Sequence, residues 1–427
     1  TQTFNSYTSG DGWSITDVEY DSMGRAYRTS NPYYCTSSYG SCSVNPSGIW
    51  TTRTFDILGR VTQVTMPRGD DANPSATTSV QTTYEGEVTT VTDQAGKQRR
   101  QVEDALGRLI RLDEPNSSGS LGTVGSPSQA TSYMYDVLNN LVEITQGDQQ
   151  RYLKYDSLSR LIRERQVEQT VNSSYNLSDS LTGNSSWTRK FEYNSHGLLT
   201  HGYDARGIQT DFYYDDLNRV TLIDYSDSTP DARYYYDSQT LPSGAPSYTH
   251  GSANGRLIAM TYGSSSSTTG TYFGYDNMGR VNVQKQVTGS NTYSLAYSYN
   301  LAGLLATETY PTSRVLTHSY DNAGRLSQIS DGTTTFASSF SYAPTGGMLS
   351  ETWGNGAVHS VTYNNALQVS QIKLKQSSSG SELQRYDYLY GQVTQSNGSV
   401  DKSKNNGQIG RIDGVINGSS TKEWEQR

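Results

Sequence analysis

Ring and aliphatic residues alternate with their neighbours over short stretches of this chain. Phe191 and Tyr193 stand against Lys190 and Glu192; Leu295, Tyr297 and Tyr299 against Ala296 and Ser298; and Tyr386, Tyr388 and Tyr390 against Asp387 and Leu389. A period of two carried by aromatic and β-branched side chains predicts strands. Between the strands one phrase recurs: a ring residue, Asp, two variable residues, Gly, Arg, then an aliphatic or small residue. Its clearest copies are Tyr20-Asp21-Ser22-Met23-Gly24-Arg25, Phe55-Asp56-Ile57-Leu58-Gly59-Arg60, Tyr275-Asp276-Asn277-Met278-Gly279-Arg280 and Tyr320-Asp321-Asn322-Ala323-Gly324-Arg325. Glu103-Asp104 through Gly107-Arg108 lacks the ring, while Tyr155-Asp156 through Ser159-Arg160 and Tyr214-Asp215 through Asn218-Arg219 replace the glycine. An Asp at the first position of a turn bonds its own backbone two residues on, and a Gly at the fourth supplies a left-handed exit, so Asp-x-x-Gly predicts a turn. Asn218 tolerates that conformation; Ser159 suits it less, and its turn is expected to differ.

Where no insertion intervenes, the second position of the phrase recurs every 20 to 22 residues, as from Asp136 to Asp156 and from Asp215 to Asp237. Two strands and two turns fill such a unit, which is one β-hairpin. A lone hairpin is marginal in water, so neighbours are expected to share ladders in one continuous sheet that spirals because strands twist with one hand. The prediction is an all-β fold, residues 1–427 forming a single array of hairpins cut from a longer one. Ser-, Gly-, Thr- and Asn-rich insertions near 113–131, 167–186, 226–231, 263–270, 377–381 and 396–406 read as surface loops. The step of 39 residues from Asp237 to Asp276 reads as two periods, with Asn254-Gly255-Arg256-Leu257 filling the missing turn.

Composition sharpens this picture. Thirty-four tyrosines against 7 phenylalanines suit a sheet with one apolar and one wet side more than a packed core. The rows of rings are expected to pack on their cross-strand neighbours, with flat-faced sugar binding as the competing reading. With 33 basic and 41 acidic side chains the net charge is −8, which gives no footprint for nucleic acid. No apolar run reaches membrane-spanning length, and the first residues lack a signal peptide, so any export signal is expected outside this chain. Cys35 and Cys42, seven apart, are placed to close a small loop as a disulfide, as suits an oxidising compartment; two free thiols are the alternative.

Chemistry is sparse. His196, His201, His250, His318 and His359 form no metal-binding pair motif, and no phosphate loop, dinucleotide fingerprint or serine-nucleophile elbow occurs. No cofactor or metal is expected. The repeated Asp residues are read as turn formers, and Arg25, Arg60, Arg280 and Arg325 as pairing with their own Asp across the turn or with a neighbouring repeat.

The recurring Tyr-Asp-x-x-Gly-Arg phrase resembles the YD-repeat family, which includes bacterial Rhs proteins, the C component of insecticidal Tc toxins and animal teneurins. The resemblance covers nearly the whole chain and implies a spiral β-shell that encloses a toxic C-terminal polypeptide in the bacterial members, or serves cell-surface adhesion in teneurins. The Asp-Pro-rich motif by which Rhs cores cleave themselves is missing, so neither autoproteolysis nor toxin activity carries over. The expectation is a non-enzymatic piece of shell wall, secreted or surface-exposed and bacterial, whose partners are the remaining repeats and C-terminal polypeptide of the same parent. An adhesive or filament-forming array that meets glycans or associates with itself is the alternative, and a hydrolase site in an inserted loop is third.

Overall fold

The computed structural model describes residues 2–8, 12–37, 42–44, 48–70, 72–394, 398–417 and 424–426. Among these, strands dominate, with two 3-10 turns at Ser173–Tyr175 and Lys402–Lys404. Strand after strand pairs antiparallel with its neighbour in sequence, and 33 of them form one sheet. Val393 pairs with Val400 in a separate two-stranded ribbon.

A meander of this kind sends its connections alternately to two edges. The Asp-x-x-Gly turns, at Asp21, Asp56, Asp104, Asp136, Asp156, Asp215, Asp276 and Asp321, all fall on one edge, here the turn edge. The loops 31–49, 68–76, 115–128, 166–188, 226–231, 263–269 and 376–381 fall on the other, the loop edge. All but one of the expected insertions therefore leave from the loop edge. The exception, near 396–406, sits on the turn edge; its residues 396 and 397 lie outside the described residues.

Beside almost every turn the ladder slips by one residue. Glu19 faces Arg28 while Tyr20 faces Ala26, leaving Tyr27 as the extra residue of a β-bulge. The same slip precedes Phe55, Tyr135, Tyr155, Tyr193, Tyr214, Tyr275, Tyr299 and Tyr320. Bulges bend the strand that carries them and increase its twist. Repeated at one edge of every hairpin, they curl the sheet into a spiral.

The wall is thin. Its accessible surface is 23405 Å² for a 47.0 kDa chain, whereas a compact monomer of that mass exposes roughly 16,000 Å². Most strand residues are half-buried on both faces, and full burial occurs where a loop folds over the sheet. Trp187 is enclosed by the 166–188 loop, where its indole N–H donates to the Leu177 carbonyl at 2.8 Å. Ala259, Tyr272 and Val287 lie beneath Leu241, Ala245 and Tyr248. Burial pushes the Tyr272 hydroxyl up to about 12, with Tyr235 adding to the effect.

Candidate functional site

Each repeat turn is built by its aspartate. In the first, the Asp21 N–H donates to the Arg25 carbonyl at 2.9 Å and the Gly24 N–H to the Asp21 carbonyl at 3.0 Å. One carboxylate oxygen of Asp21 accepts the backbone N–H groups of Met23 and Arg25, both at 2.9 Å, and the other accepts the Arg25 Nε at 2.7 Å. The turns at Asp56, Asp104, Asp156, Asp215, Asp276 and Asp321 repeat this arrangement down to the arginine contact. Gly24, Gly59, Gly279 and Gly324 hold φ between 75° and 83°, where a Cβ is unfavourable. Ser159 adopts φ 60° and its N–H donates to the Asp156 carbonyl at 3.0 Å, so this turn does not differ from the others. The aspartate's three ligands outweigh the preference of serine.

The electrostatics follow the geometry. At Asp21, Asp215 and Asp276 the backbone N–H of the arginine is the largest influence holding the carboxyl below its ordinary value; partial desolvation opposes it and the guanidinium adds to it. At Asp104 and Asp156 the guanidinium is the largest.

The arginines also reach the next repeat. Arg25 lies over the Phe55 ring at 4.5 Å, Arg60 over Tyr84 at 4.2 Å, Arg219 over Tyr236 at 4.3 Å, Arg280 over Tyr299 at 4.4 Å and Arg325 over Tyr342 at 4.5 Å. The hydroxyl of that same ring donates to the carbonyl of the residue after the arginine: Tyr84 to Val61 at 3.1 Å, Tyr236 to Val220 at 2.9 Å, Tyr299 to Val281 and Tyr342 to Leu326 at 2.7 Å. Tyr214, Tyr320 and Tyr390 make the equivalent bond where no arginine is present, to Leu199, Leu305 and Val369. The ring is thus held between a cation and a backbone acceptor, and the expected ring-on-ring packing is not how the phrase tyrosines are held. Phe55 keeps the cation contact and has no hydroxyl to donate. Tyr20, the first ring of the array, is 51% exposed. Desolvation raises the hydroxyl pKa of Tyr155 and Tyr275.

Asp237 and Asn254-Gly255-Arg256 do not belong to two turns. The Asp237 N–H donates to the Arg256 carbonyl at 3.0 Å and the Gly255 N–H to the Asp237 carboxylate. They form one turn, split by Ser238–Ser252; closing that gap reads Tyr236-Asp237-Ala253-Asn254-Gly255-Arg256, the repeat phrase itself. The inserted segment is the one that covers Tyr272.

Far along the chain the sheet meets itself. The Tyr34 hydroxyl donates to the Tyr342 carbonyl at 2.9 Å and accepts from Arg325 at 3.0 Å, and Asn31 donates to the Asn365 carbonyl at 2.8 Å. Asn365 donates to the Pro74 carbonyl, Lys402 pairs with Asp70 at 3.1 Å, Asn405 donates to the Arg68 carbonyl and Asn406 to Asp93, both at 2.9 Å. These partners lie 291 to 337 positions apart. Every contact seats the turn edge of a late hairpin on the loop edge of an early one, so one circuit of the spiral takes about that length of chain. A Cβ on Gly69 would lie 2.7 Å from Asn364 Nδ2, which shows how closely the two circuits approach. The side chains of this seam went unrecognised in the sequence; the one available signal is that Ala343–Gly347 and Asn364–Gln368 have lost both the Asp and the Arg of the phrase.

Cys35 and Cys42 are joined by a disulfide next to Tyr34, beside the seam. Among the described residues no group of three or more His, Cys, Asp or Glu is placed to hold a metal ion, and no helix is long and apolar enough to cross a membrane. The arrangement is a mechanical one: charged groups of the repeat clamp turns and rings.

A family model of the teneurin YD shell matches residues 104–267, and one of the RHS repeat matches residues 299–335. The chain is a YD-repeat protein. Its fold is that of the crystal structure of TcdB2-TccC3, which aligns at a TM-score of 0.69 and 16% identity over 95% of the YD-repeat chain and 20% of the other. The Tc holotoxin pore of Photorhabdus luminescens aligns at 0.68 and 16% over 95% of this chain and 20% of that one. TcdB2-TccC3-Cdc42 aligns at 0.64 and 14%, over 97% and 24%. The YD-repeat chain therefore spans between a fifth and a quarter of these proteins' length. No curated protein matches it.

Proposed function

We propose that this YD-repeat chain is a non-enzymatic length of shell wall which, with further repeats of its parent protein, surrounds a C-terminal polypeptide of that parent in a secreted or surface-exposed bacterial assembly. The observation that carries the reading is the seam: a sheet that returns to its own opposite edge after some 300 residues bounds an interior. The thinness of the wall supports it, since one layer of hairpins exposes both an inner and an outer face. So does the likeness to TcdB2-TccC3, one form of which is described as lacking a hypervariable C-terminal region. The Asp and Arg of each intact phrase hold one another and the turn backbone, which favours a structural over a catalytic role for them.

Electron cryomicroscopy of the uncut parent protein tests the proposal. The expected result is a closed wall with interior density that is not part of the sheet. An open tube with an empty lumen overturns encapsulation and moves the function to the outer surface, where adhesion is the better account.

A further inference from the structure

The turn edge of this spiral exists in two states. Late in the chain it is seated: Ala343, Asn364 and Asn365, in turns that rest on the first circuit, are 8%, 5% and 9% exposed. The third residue of the seated turns at 321–325, 343–347 and 364–368 is Ala323, Thr345 or Ala366, small in each case. Earlier in the chain the same edge is bare. There the third residue is Met23, Leu58, Leu106, Leu158, Leu217 or Met278, each between 69% and 77% exposed. A Cβ on Gly24 or Gly107 at this rim would meet nothing within 4 Å. Large apolar side chains spaced along one edge over most of a circuit, all pointing to water, mark a surface that another body covers.

The seam shows what covers a turn edge in this fold, namely the loop edge of another circuit. The loop edge that the seam leaves open carries Tyr262, Tyr293, Tyr310 and Trp353, between 38% and 49% exposed. Aromatic rings on one free edge therefore match aliphatic tips on the other. We infer that the bare turn edge takes the loop edge of a second copy of this chain, stacked head to tail so that its sheet continues the ramp of the first. The two surfaces differ, so the contact is heterologous, and a spiral offset along its axis repeats it without closing into a ring. The product is an extended tube of stacked circuits. The inference uses only the two edges and is independent of what the wall encloses.

The test is sedimentation velocity of the full chain over a wide concentration range, beside the triple variant Leu58→Asp, Leu106→Asp, Leu158→Asp. These side chains project from turns into solvent, so the variant is expected to keep the strand circular dichroism and unfolding midpoint of the parent. The parent is expected to grow in mass with concentration, and the variant to need roughly tenfold more protein or higher for the same growth, a factor equal to about 1.4 kcal/mol. A photo-crosslinking residue in place of Leu217 should in addition capture loop-edge peptides of a second copy, those holding Tyr293, Tyr310 or Trp353. A parent that stays monomeric throughout, equal association of parent and variant, or crosslinks confined to turn-edge peptides would each overturn the inference.

Discussion

The turn at Asp276–Arg280 and the one assembled from Asp237 and Ala253–Arg256 solve one problem in two ways. In the first the chain is contiguous, and Asp276 collects the N–H groups of Met278 and Arg280 and the Arg280 guanidinium. In the second, 15 residues, Ser238–Ser252, leave between the first and second turn positions, yet the closing bond from the Asp237 N–H to the Arg256 carbonyl survives. Its arginine has changed partners. Arg256 donates to the carbonyls of Ser252 and Asn254, and Asp237 is held instead by Arg219 of the preceding turn, whose guanidinium also serves Asp215. The lesson is that the hairpin requires the backbone closure and a satisfied carboxylate; contiguity in sequence is dispensable.

The most severe test is to excise Ser238–Ser252. This restores the contiguous phrase, and the turn is expected to persist. The price is the cover of Ala259, Tyr272 and Val287: loss of Leu241 and Tyr248 from that cluster is worth roughly 3–6 kcal/mol at the usual value for burying large apolar side chains, read as a fall in the denaturant midpoint. Unchanged stability would show that the insertion is a passenger. Next comes Gly279→Val, which forces a β-branched residue to φ 77° and places its Cβ 2.1 Å from the Arg256 guanidinium. The backbone part is about 1–3 kcal/mol. Gly255→Val in the split turn has φ 76° and open space around it, so the difference between the two variants measures the Arg256 contact alone. Equal losses would mean that Arg256 moves aside freely.

Tyr275→Phe sharpens the comparison further. It removes the hydroxyl bond to the Leu257 carbonyl at 2.6 Å while keeping the ring beneath Arg256. A loss of about 1 kcal/mol is expected, against no loss if the ring contact alone matters, as the natural Phe55 would then suggest.

The mildest test is titration. Both Asp276 and Asp237 lie below the ordinary aspartate value, so each stabilises the fold fully above that value, and the contribution is lost as pH falls through the depressed one. Their largest causes differ: the Arg280 backbone N–H for Asp276 and the Arg219 side chain for Asp237. Salt weakens exposed ion pairs more than local backbone bonds. Carboxyl titration by NMR is therefore expected to shift upward with salt more at Asp237 than at Asp276. At alkaline pH the sign reverses: burial raises the hydroxyl pKa of Tyr275 and Tyr299, so their contribution holds below the ordinary tyrosine value and fades as pH rises through the raised one.

Much of this molecule was legible in one dimension. Alternation fixed the strands, Asp-x-x-Gly the turns, and the spacing of 20 to 22 residues the hairpin unit, because each depends on contacts among residues near in sequence. Pairing each arginine with its own aspartate was legible for the same reason. The bulge before each ring escaped notice, since a slip of the ladder leaves no mark on alternation. So did the split turn at Asp237, where spacing arithmetic alone favours a second repeat.

What only the tertiary structure decided is where the spiral meets itself. Asn31 with Asn365, Tyr34 with Tyr342 and Lys402 with Asp70 are ordinary polar residues with no local pattern. Their meeting depends on the curvature summed over a whole circuit of hairpins, to which every bulge contributes a little. The sequence by itself determined the unit and its repetition, because these are local; the accumulated bend decided which edge became seam and which stayed bare.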